Sequence, residues 1–140
     1  MEMIQEHPDA AYLAADDVVD HGHPLVRETA DALLRARGIP AAFCYQLLAD
    51  DDGSNAVLHG LIALRRPGAA GWARLDPRGN KPGVDAQFTL DRERLAFPVR
   101  PELGELDYPG LYAAPHPAVL TALRGSADRR ELWRNLPTGL

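Results

Sequence analysis

The stretch from Gly38 to Phe88 decides the fold, and it contains GIPAAFCYQLL (38–48), LHGLIAL (58–64) and GWARLDPRGNKPGVDAQF (71–88). Short apolar and aromatic runs bounded by Asp, Gly, Pro and Asn are typical of β-strands joined by turns. We therefore predict three strands, over residues 41–49, 56–66 and 72–76. The turns between them, DDDGSN (50–55) and PGAAG (67–71), favour an antiparallel meander.

A helix is predicted before these strands. Pro24 suits the first turn of a helix, where its missing N–H is not needed, and apolar residues recur at helical spacing through PLVRETADALLRARG (24–38). Gly38 is typical of the position just beyond a helix end, and Pro40 prevents continuation.

The rest of the chain predicts shorter elements. Two further short strands are predicted in VDAQF (84–88) and RLAFPV (94–99), and two short helices in HPAVLTALRG (116–125) and ADRRELWRNL (127–136). We expect Ser126 or Asp128 to cap the last helix, and Leu132 and Trp133 to cover the core. Residues 1–15 are predicted to be an N-terminal lead-in and residues 16–140 a single α+β domain with a helix packed on an antiparallel sheet.

The amino-acid composition is typical of one globular domain and argues against nucleic-acid and membrane partners. The chain has 140 residues, of which 46% are hydrophobic and 25% charged, as in one ordinary globular domain. Its net charge of -5 comes without a basic stripe, so we expect no nucleic-acid partner. No apolar run approaches the ~20 residues of a membrane span, so we expect no membrane partner. An N-terminus without an apolar leader and a single Cys predict a cytoplasmic protein without disulfides.

Three residues that transfer protons, Cys44, His59 and Asp76, lie one on each predicted strand. If DDDG (50–53) closes the first hairpin, counting outward places Cys44 opposite His59. If the second turn centres on Pro67–Gly68, His59 lies opposite Asp76. Opposed side chains lie ~4.5–5.5 Å apart on one face, in the order that a thiol, imidazole and carboxylate triad needs. A lone Cys in an apolar strand is more often inert core, and a His–Asp pair is often structural, so both interpretations stay open here.

Several sequence boxes, in a fixed order over roughly residues 31–112, resemble the bacterial transglutaminase-like superfamily. Their joint order is specific, whereas no single box is. The boxes are LRARGIPAAFCYQ (34–46), LHGL (58–61), RLDPRGNK (74–81), VDAQF (84–88), ERLAFP (93–98) and GELDYP (104–109). An upstream fragment, residues 12–27, resembles the N-terminal entry of such proteins.

The resemblance implies a papain-like core and a Cys-His-Asp triad that acts on amides. His59 matches the family's catalytic histidine and Asp76 its aspartate. The family nucleophile begins the helix that leads into the first box, and counting back along this chain lands near His23, where no Cys occurs. Cys44 matches a strand cysteine that is not the nucleophile. The resemblance therefore implies a truncated, non-catalytic member of the family, retained as a binding or oligomeric module.

Two enzymatic alternatives use the same residues. A thiol-dependent amide hydrolase or acyltransferase would use Cys44 with His59 and Asp76. A hydrolase without a covalent step would use His59 and Asp76 to activate water.

No cofactor or metal is predicted. His21 and His23 have no third ligand fixed by the pattern, and no glycine motif for nucleotide binding occurs. The loop with Arg78 and Lys81 is interpreted as scaffold for Asp76.

A homodimer is the predicted assembly. Loss of helices from a papain-like core would expose apolar sheet, and large exposed apolar patches are uncommon on monomers. We expect a two-fold dimer in which one copy's N-terminal helix helps to cover the other's sheet. The sequence does not identify any peptide or protein partner.

Overall fold

The computed structural model describes residues 24–77, 82–87 and 89–140. Its elements are α1 (Pro24–Ala36), β1 (Ala41–Leu48), β2 (Val57–Leu64), β3 (Ala73–Leu75), a short 3-10 helix (Pro101–Leu103), β4 (Leu106–Asp107), α2 (Pro117–Arg124) and α3 (Arg129–Arg134). The strands form one antiparallel sheet in the order β3-β2-β1-β4, and α1 packs on β1 and β2. The fold is therefore α+β, as predicted. The lead-in predicted over residues 1–15 lies outside the described residues.

The predicted first helix is confirmed as α1. Gly38 follows it with φ 72°, a left-handed conformation that glycine adopts without steric cost. The amide of Gly38 donates to the carbonyl of Arg35, and the amide of Ile39 donates to that of Leu34. Two carbonyls of the last turn are thereby satisfied, which ends the helix where the sequence predicts. Within the described ranges no helix has the length and apolar character to cross a membrane.

The first hairpin register differs from the prediction by two residues. The ladder pairs His59 with Gln46, not with Cys44. The loop spans residues 49–56, because the amide of Asp50 bonds across it to Ser54 and Asn55 takes a left-handed φ of 52°. β2 therefore begins later than a tight four-residue turn would allow.

The second hairpin shows the same displacement. Leu75 pairs with Ile62, so Asp76 does not lie opposite His59. The turn predicted at Pro67–Gly68 does form, with Gly68 at φ 76°, but a turn of this kind splays the strands and pairing starts later. Because side chains alternate with a period of two, a displacement of two residues leaves each side chain on its predicted face.

The prediction of two further strands, over residues 84–88 and 94–99, is wrong. The described residues of both segments lie outside the strands of the sheet. The outer edge of β1 pairs instead with β4 and, through Phe43, with Tyr112. The second segment lies over one face of the sheet, where Leu95 packs against a buried cluster of β1 and β2.

The opposite face of the sheet carries an aromatic core. Phe43, Tyr45 and Leu58 cluster there with Val119 of α2. The hydroxyl of Tyr45 accepts a hydrogen bond of 2.8 Å from the backbone amide of His116, the residue that precedes α2. The first turn of α2 is therefore tied directly to the sheet.

The last helix begins at the predicted cap. Asp128 accepts a hydrogen bond from the amide of Glu131, so Asp128 and not Ser126 caps α3. Leu132 is buried as predicted. Trp133 is 39% exposed, so the expectation that it covers the core is wrong for this residue.

Close contact between α1 and β2 depends on one glycine. Arg27 of α1 is buried and lies directly over Gly60. A Cβ at residue 60 would approach three side-chain atoms of Arg27 to less than 3.0 Å. A buried guanidinium cannot be displaced without cost, because its polar groups need partners.

We expect Gly60→Ala to lower the free energy of unfolding by about 1–3 kcal/mol, the usual cost of overpacking. Gly71→Ala is the matched control, since a Cβ at residue 71 would meet nothing within 4 Å. Urea unfolding followed by circular dichroism measures both variants. Equal stability of the two would show that Arg27 is not held against β2.

Candidate functional site

The imidazole of His59 and the carboxylate of Asp76 form the centre of the site. His59 lies in β2, and Asp76 follows the last residue of β3. Their Nε2 and Oδ2 atoms are 2.8 Å apart, and both side chains are buried, with exposures of 7% and 1%. The two-residue displacement makes the pair diagonal across the strands, yet the predicted contact forms. The carboxylate therefore orients the ring through one nitrogen, as the acid of a triad would.

Cys44 is on the same face but belongs to the core. It lies opposite Leu61 in the ladder, is 1% exposed and clusters with Leu61 and Ala63. Burial raises the pKa of its thiol to about 12. Within the described part of the chain, no hydrogen bond joins its sulfur to His59.

Gln46 occupies the position predicted for Cys44, directly opposite His59. It is 1% exposed, and its Nε2 donates to the carboxylate of Asp107 at 2.9 Å and to the carbonyl of Phe97 at 3.2 Å. Its Oε1 is buried without a hydrogen-bond partner among the described residues. Sequence analysis missed Gln46; a register counted from a longer first loop would have found it.

An ionic network holds the segment around residues 94–99, which covers this face, against the sheet. Arg74 of β3 donates to Glu93 at 2.6 and 2.8 Å and to Asp107 at 2.7 Å. Burial opposes ionisation of Asp107, but hydrogen bonds from Arg74 and Gln46 outweigh it and lower the pKa of this carboxyl. The network positions Phe97, whose ring meets that of His59 edge to face at 5.7 Å.

A cavity of about 540 Å3 opens beside His59. His59 contributes to its wall, together with aromatic rings from two other segments, Phe97 and Trp133. The remaining wall comes from the first hairpin loop and the strand ends that flank it, from the residues around the 3-10 helix and from the chain just after α3: Leu48, Ala49, Asp50, Asp51, Asn55, Val57, Leu58, Pro98, Arg100, Glu105 and Leu136. The sequence predicts that Trp133 covers the core, and no pattern in the sequence indicates that it lines the cavity.

Arg100 and Glu105 clamp the loop that forms one wall of the cavity. Arg100 donates to Glu105 at 2.8 Å, to Asp51 at 2.6 Å and to the carbonyl of Ala49 at 2.9 Å. Glu105 is 4% exposed and also accepts from the amide of Ala49. The hydrogen bonds from Arg100 lower the pKa of the Glu105 carboxyl to about 2.

The other candidates from the sequence lie outside the described residues: His21, His23, Arg78 and Lys81. His23 is also the position at which the resemblance places the missing nucleophile. Across the described ranges, no three His, Cys, Asp or Glu side chains come together as a metal site.

Comparisons with protein-family models, with curated proteins and with solved structures give no match to this chain. Its function has therefore to be inferred from its own residues.

We expect Glu105→Gln to lower the free energy of unfolding at pH 7 by about 2 kcal/mol, because charge-assisted hydrogen bonds are lost. The pKa of Glu105 lies below its usual 4.5 in the folded chain. Its contribution to stability is therefore complete above the unfolded pKa and is lost as the pH falls from 4.5 to about 2.

The variant should accordingly show a flatter decline of stability with acidity over that range. Glu102→Gln is the control, since Glu102 is exposed in the neighbouring 3-10 helix. Denaturant unfolding at a series of pH values measures both. Parallel curves for the variant and the unsubstituted chain would contradict the assigned role of Glu105.

Proposed function

We propose that this chain is a truncated transglutaminase-like domain that keeps the family's His59 and Asp76, lacks a working nucleophile and acts as a binding or oligomeric module. The observation that carries the proposal is the environment of Cys44. This is the single Cys of the chain, and it is buried among apolar side chains.

The arrangement of elements supports the family assignment. A helix packs on an antiparallel sheet, the matched histidine lies in β2, and the matched aspartate follows β3. The buried contact between His59 and Asp76 is the one that the resemblance implies for two members of the triad. In this contact the carboxylate orients the imidazole, and an oriented imidazole serves binding as well as catalysis.

The state of the thiol argues against the enzymatic alternative. The thiolate is the nucleophile, and a thiol with a pKa of about 12 is ionised in about one molecule in 100,000 at pH 7. For Cys44 to act with His59 and Asp76, its sulfur would have to leave the contact with Leu61. It would then have to reach the position opposite His59, which Gln46 holds. Activation of water by His59 and Asp76 alone has no covalent step, and we do not favour it.

We expect iodoacetamide to label Cys44 about a thousandfold more slowly in the folded chain than in urea near neutral pH, because little thiolate forms. His59→Ala should leave that rate unchanged within about twofold, since the imidazole does not activate the sulfur. Mass spectrometry of timed samples measures both rates. Rapid labelling of the folded chain that His59→Ala suppresses would overturn the proposal in favour of the thiol enzyme.

Self-association is the oligomeric part of the proposal. α1 covers its own strands, so the predicted exchange of helices between copies is not required. An open, largely apolar groove of about 370 Å3 runs beside it, between Leu33 and Leu34 of α1 and Ile62 and Leu75 of the sheet. We assign this groove to a second copy, because apolar surface of this kind favours burial.

Light scattering should therefore give a mass near twice the 15.3 kDa of one chain. Leu33→Lys should shift the equilibrium to monomer by placing a charge in the groove. Leu111→Lys is the control, since Leu111 is 43% exposed and does not line the groove. A monomer at every concentration would contradict the dimer.

A further inference from the structure

His59 uses only one of its two ring nitrogens within the described chain. Nε2 lies 2.8 Å from Oδ2 of Asp76, and because a carboxylate only accepts hydrogen bonds, the proton of the neutral ring is on Nε2. Nδ1 therefore carries a lone pair, and no residue in the described ranges hydrogen-bonds to it. Gln46 Oε1 is the one fully buried side-chain nitrogen or oxygen without a partner in those ranges, so Nδ1 is reached by solvent.

Gln46, which faces His59 across the ladder, does not fill this position. The two donors of a glutamine side chain are on Nε2, and that atom donates to Asp107 at 2.9 Å and to the carbonyl of Phe97 at 3.2 Å. Both partners are acceptors, which fixes the orientation of the amide. The remaining atom, Oε1, cannot donate, so the lone pair of Nδ1 stays available to a donor from the cavity.

An aliphatic pair lines the cavity next to His59. Val57 lies two residues before His59 in β2, and its side chain is on the same face of the sheet, because side chains alternate along a strand. Leu48 is directly opposite Val57 in the ladder, and both residues are half-buried and line the cavity together with Pro98 and Leu136. The open acceptor of His59 is thus set beside apolar surface, in a cavity of about 540 Å3. Small-molecule sites commonly combine an apolar wall with a few polar atoms that orient the ligand.

We propose that this cavity binds an uncharged hydroxyl compound with an apolar body, such as a phenol, whose O–H donates to Nδ1 of His59. The inference rests on the proposed binding function and names the chemical class of its ligand. A phenol has a pKa of about 10 and keeps its proton at neutral pH, so it offers the donor that a lone pair needs. A carboxylate of the same size has no proton to donate. The apolar body gains by leaving water for the surface of Leu48 and Val57.

The test compares three probes that share one apolar body. The compound para-ethylphenol carries the hydroxyl, para-ethylanisole has a methyl group in place of the hydroxyl hydrogen and cannot donate, and para-ethylbenzoate is an anion. Each probe is added to the full chain, labelled with nitrogen-15 in its histidines. Calorimetry gives the Kd of each probe. NMR gives the position of the Nδ1 resonance of His59, which is identified by through-bond correlation.

We expect para-ethylphenol to bind about fivefold more tightly than para-ethylanisole, the preference that one neutral hydrogen bond gives, and para-ethylbenzoate to bind most weakly. The phenol should move the Nδ1 resonance of His59 to lower frequency, because the nitrogen then accepts a hydrogen bond, and the anisole should not. His116 is the internal control. Its Nδ1 already accepts from the amide of Ala118 at 3.1 Å, and it does not line the cavity, so its resonance should not move with either probe.

Two variants separate the acceptor from the apolar wall. His59→Phe removes the acceptor and keeps a ring, so the phenol and the anisole should bind equally. Val57→Ser removes apolar wall and keeps the acceptor, so both probes should bind about threefold more weakly and the preference for the phenol should remain. Should His59→Phe not fold, the movement of the Nδ1 resonance in the unsubstituted chain decides the question.

Equal affinity for the phenol and the anisole, a preference for the anion, no binding of any probe, or an Nδ1 resonance that bound phenol does not move would each overturn this inference. The first two results would leave the chain a binding module with a different ligand. Failure of the proposed function has a separate signature, which is rapid labelling of Cys44 that depends on His59.

Discussion

The ladder between β1 and β2 is the constraint on which the rest of the structure depends. Its eight pairs send Cys44 and Gln46 to one face of the sheet and Phe43 and Tyr45 to the other. The helices pack on the aromatic face. The other face carries the candidate site and the polar segment that covers it. A register shifted by one residue would exchange these two faces, whereas a shift by two keeps the faces and only changes the neighbours of His59.

The segment around residues 94–99, which covers the site, is held in place by ion pairs as well as by apolar packing. Arg74 joins Glu93 and Asp107, and Asp107 in turn accepts from the buried amide of Gln46. Hydrogen bonds to charged groups contribute about 1.5–3 kcal/mol each, but a buried acceptor left without a partner costs about 1–3 kcal/mol. Gln46 Oε1 is such an acceptor within the described residues, and it lies beside His59. Costs of this kind concentrate where a structure serves function rather than stability.

Local signals in the sequence predict α1, the three central strands and both terminal helices, because Pro24, Gly38 and Asp128 act within one turn of the chain. The contact between His59 and Asp76 is also predictable, since a displacement of two residues preserves the face. The neighbours of His59 are not, because they depend on how many residues the loop at Asn55 takes up. The fourth strand and the cavity depend on contacts between distant segments, such as Gln46 with Asp107 and Phe97 with His59, that leave no periodic pattern.

The protonation of the Cys44 thiol depends on burial more than on the charges around it. A reactive cysteine needs positive surroundings, because a cation or a helix N-terminus must stabilise its thiolate. Here Arg74 and Arg27 favour the thiolate of Cys44, but the carboxylates of Glu93 and Asp107 oppose them, and burial has the largest effect and raises the pKa of the thiol. The ionic network of Arg74, Glu93 and Asp107 therefore does not activate the sulfur of Cys44.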